Sequence, residues 1–592
     1  MTKYVTVFSC LILLSRTYLV HLCAAVTSGG EAADPLIKLA RARFPNLTRA
    51  ELATLEFAQV GNVARGQFAI AGSNSDPSDP SNDPKTASDW GPQREIRAEL
   101  LRWLFEEPNA IALISPSGIQ VLGARIVGDL NLDFVQPPFG LALVRCSIPG
   151  RISLVSAHLR WLSMSGSYTG QIYAVSLVTD STVLLDGVIS TGELDLDGSK
   201  IDGILSLRHS HFRHGRRTLP YMEALAGWNL AVRITYAQIR GAVDVIEDFE
   251  ADGAVEIDNC TIGGDFTVFG SRFSNPNNVA FAADSDVIGG DVMISWTIGK
   301  PEAAKFDGLA QFYDDQIAGS LFAQGAVLSG SQNSLHGLTI TDTSVKGMID
   351  LRDLHLSTGA QLSLIGSSTH IFIDSVSGWP APGKLTLDGF TYDNLGPPND
   401  ADSRLRWLRL SDGFRIQPYR QLANYLRKSG DEAGATRVLI AEEDLRYGQM
   451  SLWRRIWGNI LKFTIGYGHR PLLAMLWAAV VVLAGAIVVT IAKSAGVMRL
   501  TWSETTPMPT GDPVSELNPL LYSLDVFVPF VNLHQEHFWW PDKAARGEFV
   551  KFGRQFSIRG SMIRSYLWLQ IIAGWLLSAI FVAGVTGLIR ND

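Results

Sequence analysis

One phrase returns seven times between residues 126 and 351: an aliphatic residue, any residue, Gly, any residue, then two apolar residues separated by one. The copies are Ile126-Val-Gly-Asp-Leu-Asn-Leu132, Ile201-Asp-Gly-Ile-Leu-Ser-Leu207, Ile239-Arg-Gly-Ala-Val-Asp-Val245 and Ile262-Gly-Gly-Asp-Phe-Thr-Val268. Ile288-Gly-Gly-Asp-Val-Met-Ile294, Ile317-Ala-Gly-Ser-Leu-Phe-Ala323 and Val345-Lys-Gly-Met-Ile-Asp-Leu351 complete the set. No copy can bury its apolar residues alone, so the copies must stack on one another to make a core. Gly128, Gly150, Gly170 and Gly192 recur every 20 to 22 positions, and from Gly241 the intervals lengthen to 23 to 29, which implies insertions. The expectation is a mainly β fold: a parallel β-helix solenoid over residues 111–395. Its strands of a few residues alternate inward and outward side chains, and Gly lets the backbone turn between them.

A chain of 592 residues exceeds what one core organises, so flanking units are expected. Residues 33–110 read as an N-terminal helical cap, with apolar residues three and four apart at 36–43, 48–59 and 94–105. Thr48 stands three before Glu51, the spacing of a capping box. The stretch 74–90, rich in Ser, Asp, Pro and Asn, reads as a surface loop. Pro397-Pro398-Asn399-Asp400 ends the repeats, and residues 400–465 read as a C-terminal helical hairpin, with 418–428 and 432–447 joined by Ser429-Gly430-Asp431. Residues 466–592 form a membrane domain. Two charge-free stretches there, 472–492 and 566–589, are long enough to cross a ~30 Å hydrocarbon layer as transmembrane helices. Trp453, Trp457 and Tyr467 precede the first, and Trp568 and Trp575 open the second, as interfacial aromatics do.

Charged residues are only 18% of the chain and glycines number 55, which suits a Gly-punctuated β protein with membrane segments. A net charge of −8 gives no basic footprint for nucleic acid. Residues 1–25 have the layout of a signal peptide, Lys3 followed by an apolar run and then Ala24 and Ala25. Basic residues near the membrane ends number six in the loop between the two stretches and five on the outer flanks, which leaves orientation open. The signal-like start then places the β-helix on the periplasmic or extracytoplasmic side of the inner membrane. Beyond residue 25 only Cys146 and Cys260 remain, too few for a disulfide framework. About five repeats separate them, roughly 24 Å at the ~4.8 Å strand spacing, so they are expected to be buried, unpaired thiols.

Candidate sites are sparse. His209, His211 and His214 form the densest imidazole group and could share a metal, histidines two apart on a strand facing the same side. The alternative is a solvated loop that binds anions through Arg213, Arg216 and Arg217. Glu247, Asp248, Asp284, Asp286 and Asp291 are candidate catalytic carboxylates of the kind β-helical polysaccharide hydrolases or lyases place along one face. Asp also occupies turns because it tolerates their geometry. Between the membrane helices, residues 518–541 could re-enter the bilayer as in a two-helix pore module or lie on its surface. No Thr-x-Gly-Tyr-Gly filter is present, and Gly466-Tyr-Gly468 precedes the first membrane helix. His534 and His537, beside Phe538, Trp539 and Trp540, read as packing at the membrane interface.

At Trp379-Pro, Gly389-Phe-Thr-Tyr392, Arg404-Leu-Arg-Trp-Leu408, Pro418-Tyr-Arg-Gln-Leu422, Ile465-Gly-Tyr-Gly468, Asn518-Pro-Leu-Leu-Tyr-Ser-Leu-Asp525 and Gly584-Val-Thr-Gly587 the chain resembles an uncharacterised bacterial family of membrane-associated β-helical repeat proteins. Ile96-Arg-Ala-Glu-Leu-Leu-Arg-Trp103 fits the same resemblance, which covers most of the chain. Some relatives carry the label "membrane-associated oxidoreductase". Nothing in the residues supports that label: no Gly-x-Gly-x-x-Gly joins a strand to a helix, no Cys pair has redox spacing, and no haem or iron–sulfur ligand set occurs. No cofactor is therefore expected. The function expected is a non-enzymatic, membrane-anchored scaffold or binding protein of the cell envelope. Its expected partners are the lipid bilayer and an envelope polysaccharide or another envelope protein. The alternatives are a polysaccharide-active enzyme using the β-helix carboxylates, and a component of a transport or channel assembly.

Overall fold

The computed structural model describes residues 34–61, 64–65, 80–214, 229–295, 303–329, 337–500, 516–533, 535–551 and 554–586. The expected signal peptide, Arg216, Arg217 and His534 lie outside them. The chain divides into two compact units, Met1–Gly215 and Arg216–Asp592. It is mainly β, with long parallel sheets, two apolar helices and further C-terminal helices.

In the first unit, helices Pro35–Arg43 and Arg49–Val60 lead. The capping box forms: the Thr48 hydroxyl accepts the Glu51 amide at 3.1 Å and Glu51 accepts the Thr48 amide at 3.0 Å. Glu51 is fully buried, and Arg97 holds it through two 2.7 Å bonds. The helix expected at 94–105 is shorter, Ala98–Glu106, because Glu95–Arg97 is extended and joins a parallel sheet, Ile96 opposite Ile126. The described part of the loop expected at 74–90 holds two short 3-10 turns, Pro80–Asn82 and Pro84–Asp89, and a third, Pro92–Arg94, follows it.

The repeats then pair as parallel strands, most of two residues. Ile119, Leu141, Leu162, Val183 and Leu205 are successive register partners, as are Leu130, Ile152, Ile172 and Leu194. Every one is buried. Each buried aliphatic side chain contributes about 1.5–3 kcal/mol, and that column-wise burial holds strands too short to persist alone.

The second unit continues the pattern. Gln238, Thr261, Val287, Gln316, Ser344, Ser368 and Thr391 are successive partners in one sheet. The lengthened repeats are absorbed by the other sheet, where strands reach Arg272–Asp284 and Lys305–Tyr313 and pair with register shifts. Phe273 and Phe306, buried on these longer strands, stack with centroids 5.0 Å apart.

The phrase also finds its physical cause here. Ile262 ends one strand, Phe266 starts the next, and Gly263-Gly264-Asp265 bends between them. A Cβ on Gly319, the glycine of a later copy, would overlap the carbonyl oxygen of Gly290, and one on Gly347 would meet that of Gly319. Glycine is required because neighbouring bends touch backbone to backbone; neither residue has positive φ. Close approach thus adds to the expected turning role, which Gly128 of the first copy serves with a φ of 95°.

The terminal strand Thr391–Leu395 is closed by helix Ile416–Lys428. Gln417 donates to the Phe390 carbonyl at 2.9 Å and Gln421 to that of Tyr392 at 2.6 Å, which occupies acceptors an edge strand would offer to another chain. This helix begins two residues before Pro418 and faces Glu432–Gly448, the expected hairpin partner. Helices Ala401–Leu408 and Leu452–Ile465 flank the pair. Two helices, Leu472–Ser494 and Gly560–Val585, are long and apolar enough to cross a membrane. The second starts six residues earlier than expected and ends at Val585, with Thr586 as its C-cap. Between them lie the short helix Pro519–Phe527 and the antiparallel hairpin Arg546–Lys551 with Arg554–Arg559.

Candidate functional site

The three candidate histidines do not share a strand. His209 sits in a turn with φ of 54°, exposed, while the intervening Ser210 is buried and donates to the Leu185 carbonyl at 2.5 Å. Only His211, half-buried, lies on the strand His211–Arg213, and His214 is exposed beyond it. The alternation expected of a regular strand fails because the chain turns at residue 209. Among the described residues no three His, Cys, Asp or Glu side chains gather as around a metal ion.

The candidate carboxylates occupy three different settings. Glu247 and Asp248 stand on an exposed turn, both with positive φ. Asp291 is half-buried and belongs to a ladder: its amide donates to Asp265 at 2.9 Å, and its own carboxylate accepts the Ser320 amide at 2.7 Å. Ser320 in turn accepts the Met348 amide at 3.1 Å. Each side chain thus satisfies the backbone of the next repeat's bend, where the ladder hydrogen bonds of the strands have stopped.

Asp286 is in the interior. Cys260, Asp286, Asp315, Thr343 and Ser367 each directly precede one of the paired strands, and all are buried. The Asp286 carboxylate accepts the Cys260 amide at 2.7 Å, and that of Asp315 accepts the Asp286 amide at 2.9 Å. The second carboxylate oxygen of each, Oδ2, has no hydrogen-bond partner. Burial, then the neighbouring Asp315, pushes Asp286 up to about 8; burial likewise carries Asp315 to about 7. Two stacked acids that are neutral below these values can sit where charges could not. Asp284, two residues earlier, is half-buried and also raised, chiefly by burial. Burial pushes the free thiols of Cys146 and Cys260 up to about 12, so neither is a poised nucleophile.

No comparison identifies the chain. It matches no family model, and no curated protein or solved structure is significantly similar to it.

The apolar helices carry geometry that residue patterns did not reveal. The Ser523 hydroxyl donates to the Val482 carbonyl at 2.7 Å, and the Gln570 amide donates to the Ser523 hydroxyl and carbonyl at 2.8 and 2.9 Å. Val482 and Gln570 lie near the middle of their helices, so the short Pro519–Phe527 helix inserts to mid-length between them. Gly485 makes room: a Cβ there would strike Ser523 and Gln570. At the near end Lys493 donates to the Leu517 carbonyl at 2.8 Å. The chain then returns, because the Asp525 carboxylate accepts the amides of Leu533 and Glu536 at 2.5 and 2.9 Å.

A Cβ on Gly574 would overlap the Phe527 carbonyl oxygen. Overpacking of this kind costs roughly 1–3 kcal/mol. Gly574→Val is therefore expected to accelerate amide exchange across Pro519–Phe527 by about one order of magnitude, read by hydrogen-exchange mass spectrometry in detergent. Unchanged exchange would mean the short helix does not depend on this contact.

Proposed function

We propose that the chain is a membrane-anchored parallel β-helix of the cell envelope, a non-enzymatic scaffold or binding protein whose stacked repeats offer an extended surface. One observation supports the anchor above all. Leu472, Leu476, Leu483 and Ile487 on one apolar helix, and Leu569, Ile572 and Leu576 on the other, are each more than half exposed. Water does not tolerate so continuous an apolar surface, whereas lipid does. Parallel pairing with unbroken columns of buried aliphatics supports the β-helix, as does the resemblance to membrane-associated repeat proteins. The partners proposed are the bilayer and an envelope polysaccharide or another envelope protein. The signal-like start supports a multi-pass inner-membrane protein with its β-helix outside the cytoplasm.

The full-length protein is expected to stay with the membrane fraction through alkaline carbonate washing; release into the supernatant would end this reading. Reporters fused after Lys493 and after Asp592 are expected to read cytoplasmic and external, respectively. The reverse pattern would move the β-helix to the other side.

A second reading, a component of a transport or channel assembly, draws on the mid-length position of the Pro519–Phe527 helix, since backbone re-entering a bilayer is tolerated where protein surrounds it. Ion or solute flux into proteoliposomes no faster than into protein-free vesicles would remove it.

A further inference from the structure

Helix Leu452–Ile465 divides its circumference in a way that neither the repeats nor the membrane helices require. Leu461, Ile465 and the buried Gly458 face protein: Leu461 and Ile465 share a core with Tyr467, Ala474 and Ile580, and a Cβ on Gly458 would strike the Tyr447 ring. At 100° per residue the neighbouring arc carries Leu452, Trp453, Ile456, Trp457, Ile460 and Phe463. All six are exposed, Trp453 at 81% and Phe463 at 67%. Exposed Arg454 and Arg455 project beyond the two edges of that arc.

The helix is held in one place. Gly466, Tyr467 and Gly468 all take positive φ, which reverses the chain directly into the first apolar helix. The Tyr467 hydroxyl donates to Asp444 at 2.9 Å, and its ring stacks on Tyr447 with centroids 5.4 Å apart. From the first apolar helix, Trp477 donates its indole N–H to the Phe463 carbonyl at 2.8 Å. Ala474 stands at the start of that helix and Ile580 near the end of the other, so the amphipathic helix sits level with one end of both.

We propose that Leu452–Ile465 lies on the surface of an anionic lipid bilayer, its aromatic and aliphatic arc among the upper acyl chains and Arg454 and Arg455 against the headgroups. This rests on the reading of Leu472–Ser494 and Gly560–Val585 as membrane-spanning. The surface is continuous with those helices, and its composition, two tryptophans and four aliphatic or aromatic residues flanked by arginine, matches the boundary between water and hydrocarbon. Its chemistry fits phosphate-bearing lipid. A soluble partner would leave the adjoining exposed face of the spanning helix uncovered.

The test uses the full chain with Cys10 and Cys23 replaced by Ser, reconstituted in nanodiscs of phosphatidylcholine with or without phosphatidylglycerol. Spin labels are placed at Ile460→Cys, Arg455→Cys or Leu483→Cys, and collision with oxygen is compared with collision with a water-soluble nickel chelate. The expected result is lipid-like accessibility at 460 and 483 and water-like accessibility at 455. With phosphatidylglycerol present, Arg454→Gln with Arg455→Gln is expected to lower the docked-to-undocked ratio at the 460 label by roughly fivefold per arginine. Water-like accessibility at 460 with lipid-like accessibility at 483 overturns the surface helix and leaves the spanning reading intact. Water-like accessibility at both overturns both. Lipid-like accessibility at 460 that is indifferent to phosphatidylglycerol and to the arginines overturns the headgroup part.

Discussion

Arg404→Ala is expected to destabilise the end of the second unit's sheets by about 3–5 kcal/mol, the cost of stranding one partner of a buried ion pair. Arg404 is wholly buried and grips Asp374 through two bonds of 2.9 and 2.7 Å, with a third to the Gly396 carbonyl at 3.2 Å. Trp379 donates its indole N–H to the same carboxylate at 2.9 Å, and the guanidinium lies 5.0 Å from the Trp407 ring centroid. Helix Ala401–Leu408 is fastened to the strand Ser368–Asp374 by this side chain together with the packing of Trp407 on Phe372, centroids 5.6 Å apart. Removing it leaves the Asp374 side chain buried and, of these bonds, holding only that from the Trp379 indole. Amide exchange in Ala401–Leu408 and Thr391–Leu395 should rise to the rate of exposed segments, and proteases should cut between them. The double variant Arg404→Leu with Asp374→Leu removes both charges and should recover most of the loss. Equal damage from the single and double variants would show that shape, and not charge, fastens the helix.

The repeating phrase made the parallel strands legible because burial at fixed register leaves a fixed spacing of aliphatics. Helix limits at Pro35–Arg43 and Glu432–Gly448 were legible for the same reason, their periods and caps being local. Segments whose partners are distant were harder. Glu95–Arg97 reads as helix by its own pattern, yet pairs with residues thirty positions away. The mid-length seat of Pro519–Phe527 depends on Ser523, Gly485 and Gln570, which no local spacing connects.

The carboxylates carry more signal than their clustering suggests. Asp284 and Asp286 look alike as an acidic cluster, but the second stands two before the first aliphatic residue of its repeat. The same position in the other six copies holds Ala124, Ser199, Ala237, Cys260, Asp315 and Thr343, all small or uncharged apart from Asp315. Every one is buried. Aligning the copies on that aliphatic residue assigns Asp286 and Asp315 to the interior by residue spacing alone. It also separates them from Asp291, whose place in the bend makes it a partner for backbone. The amphipathic arc of Leu452–Ile465 is visible in the spacing of Trp453, Ile456, Trp457, Ile460 and Phe463, and is obscured when the segment is joined to the preceding hairpin.

That interior placement gives the second unit an unusual pH dependence. Asp286 and Asp315 have folded-state values raised to about 8 and about 7, against an ordinary carboxylate value of 3.8. Between the ordinary value and the raised ones the folded chain binds more protons than the unfolded chain, so stability falls as pH rises. Their contribution is fully present below about pH 4 and is lost as pH passes through 7 and 8. Asp286→Asn fixes the neutral state and keeps an oxygen to accept the Cys260 amide. It should therefore match the wild type below about pH 4, exceed it progressively as pH rises from there to about 8, and level off above that at an advantage on the order of 3–5 kcal/mol. Asp286→Ala loses the acceptor as well and should be weaker than Asp286→Asn at every pH. Thermal unfolding from pH 5 to pH 9 decides it, because titrating groups that do not interact with Asp286 cancel in the difference between the wild type and the variant, which leaves Asp286 and the Asp315 coupled to it. A difference between wild type and Asp286→Asn that stays constant across that range would mean Asp286 is already ionised in the folded chain, and the column would then have to contain a charge.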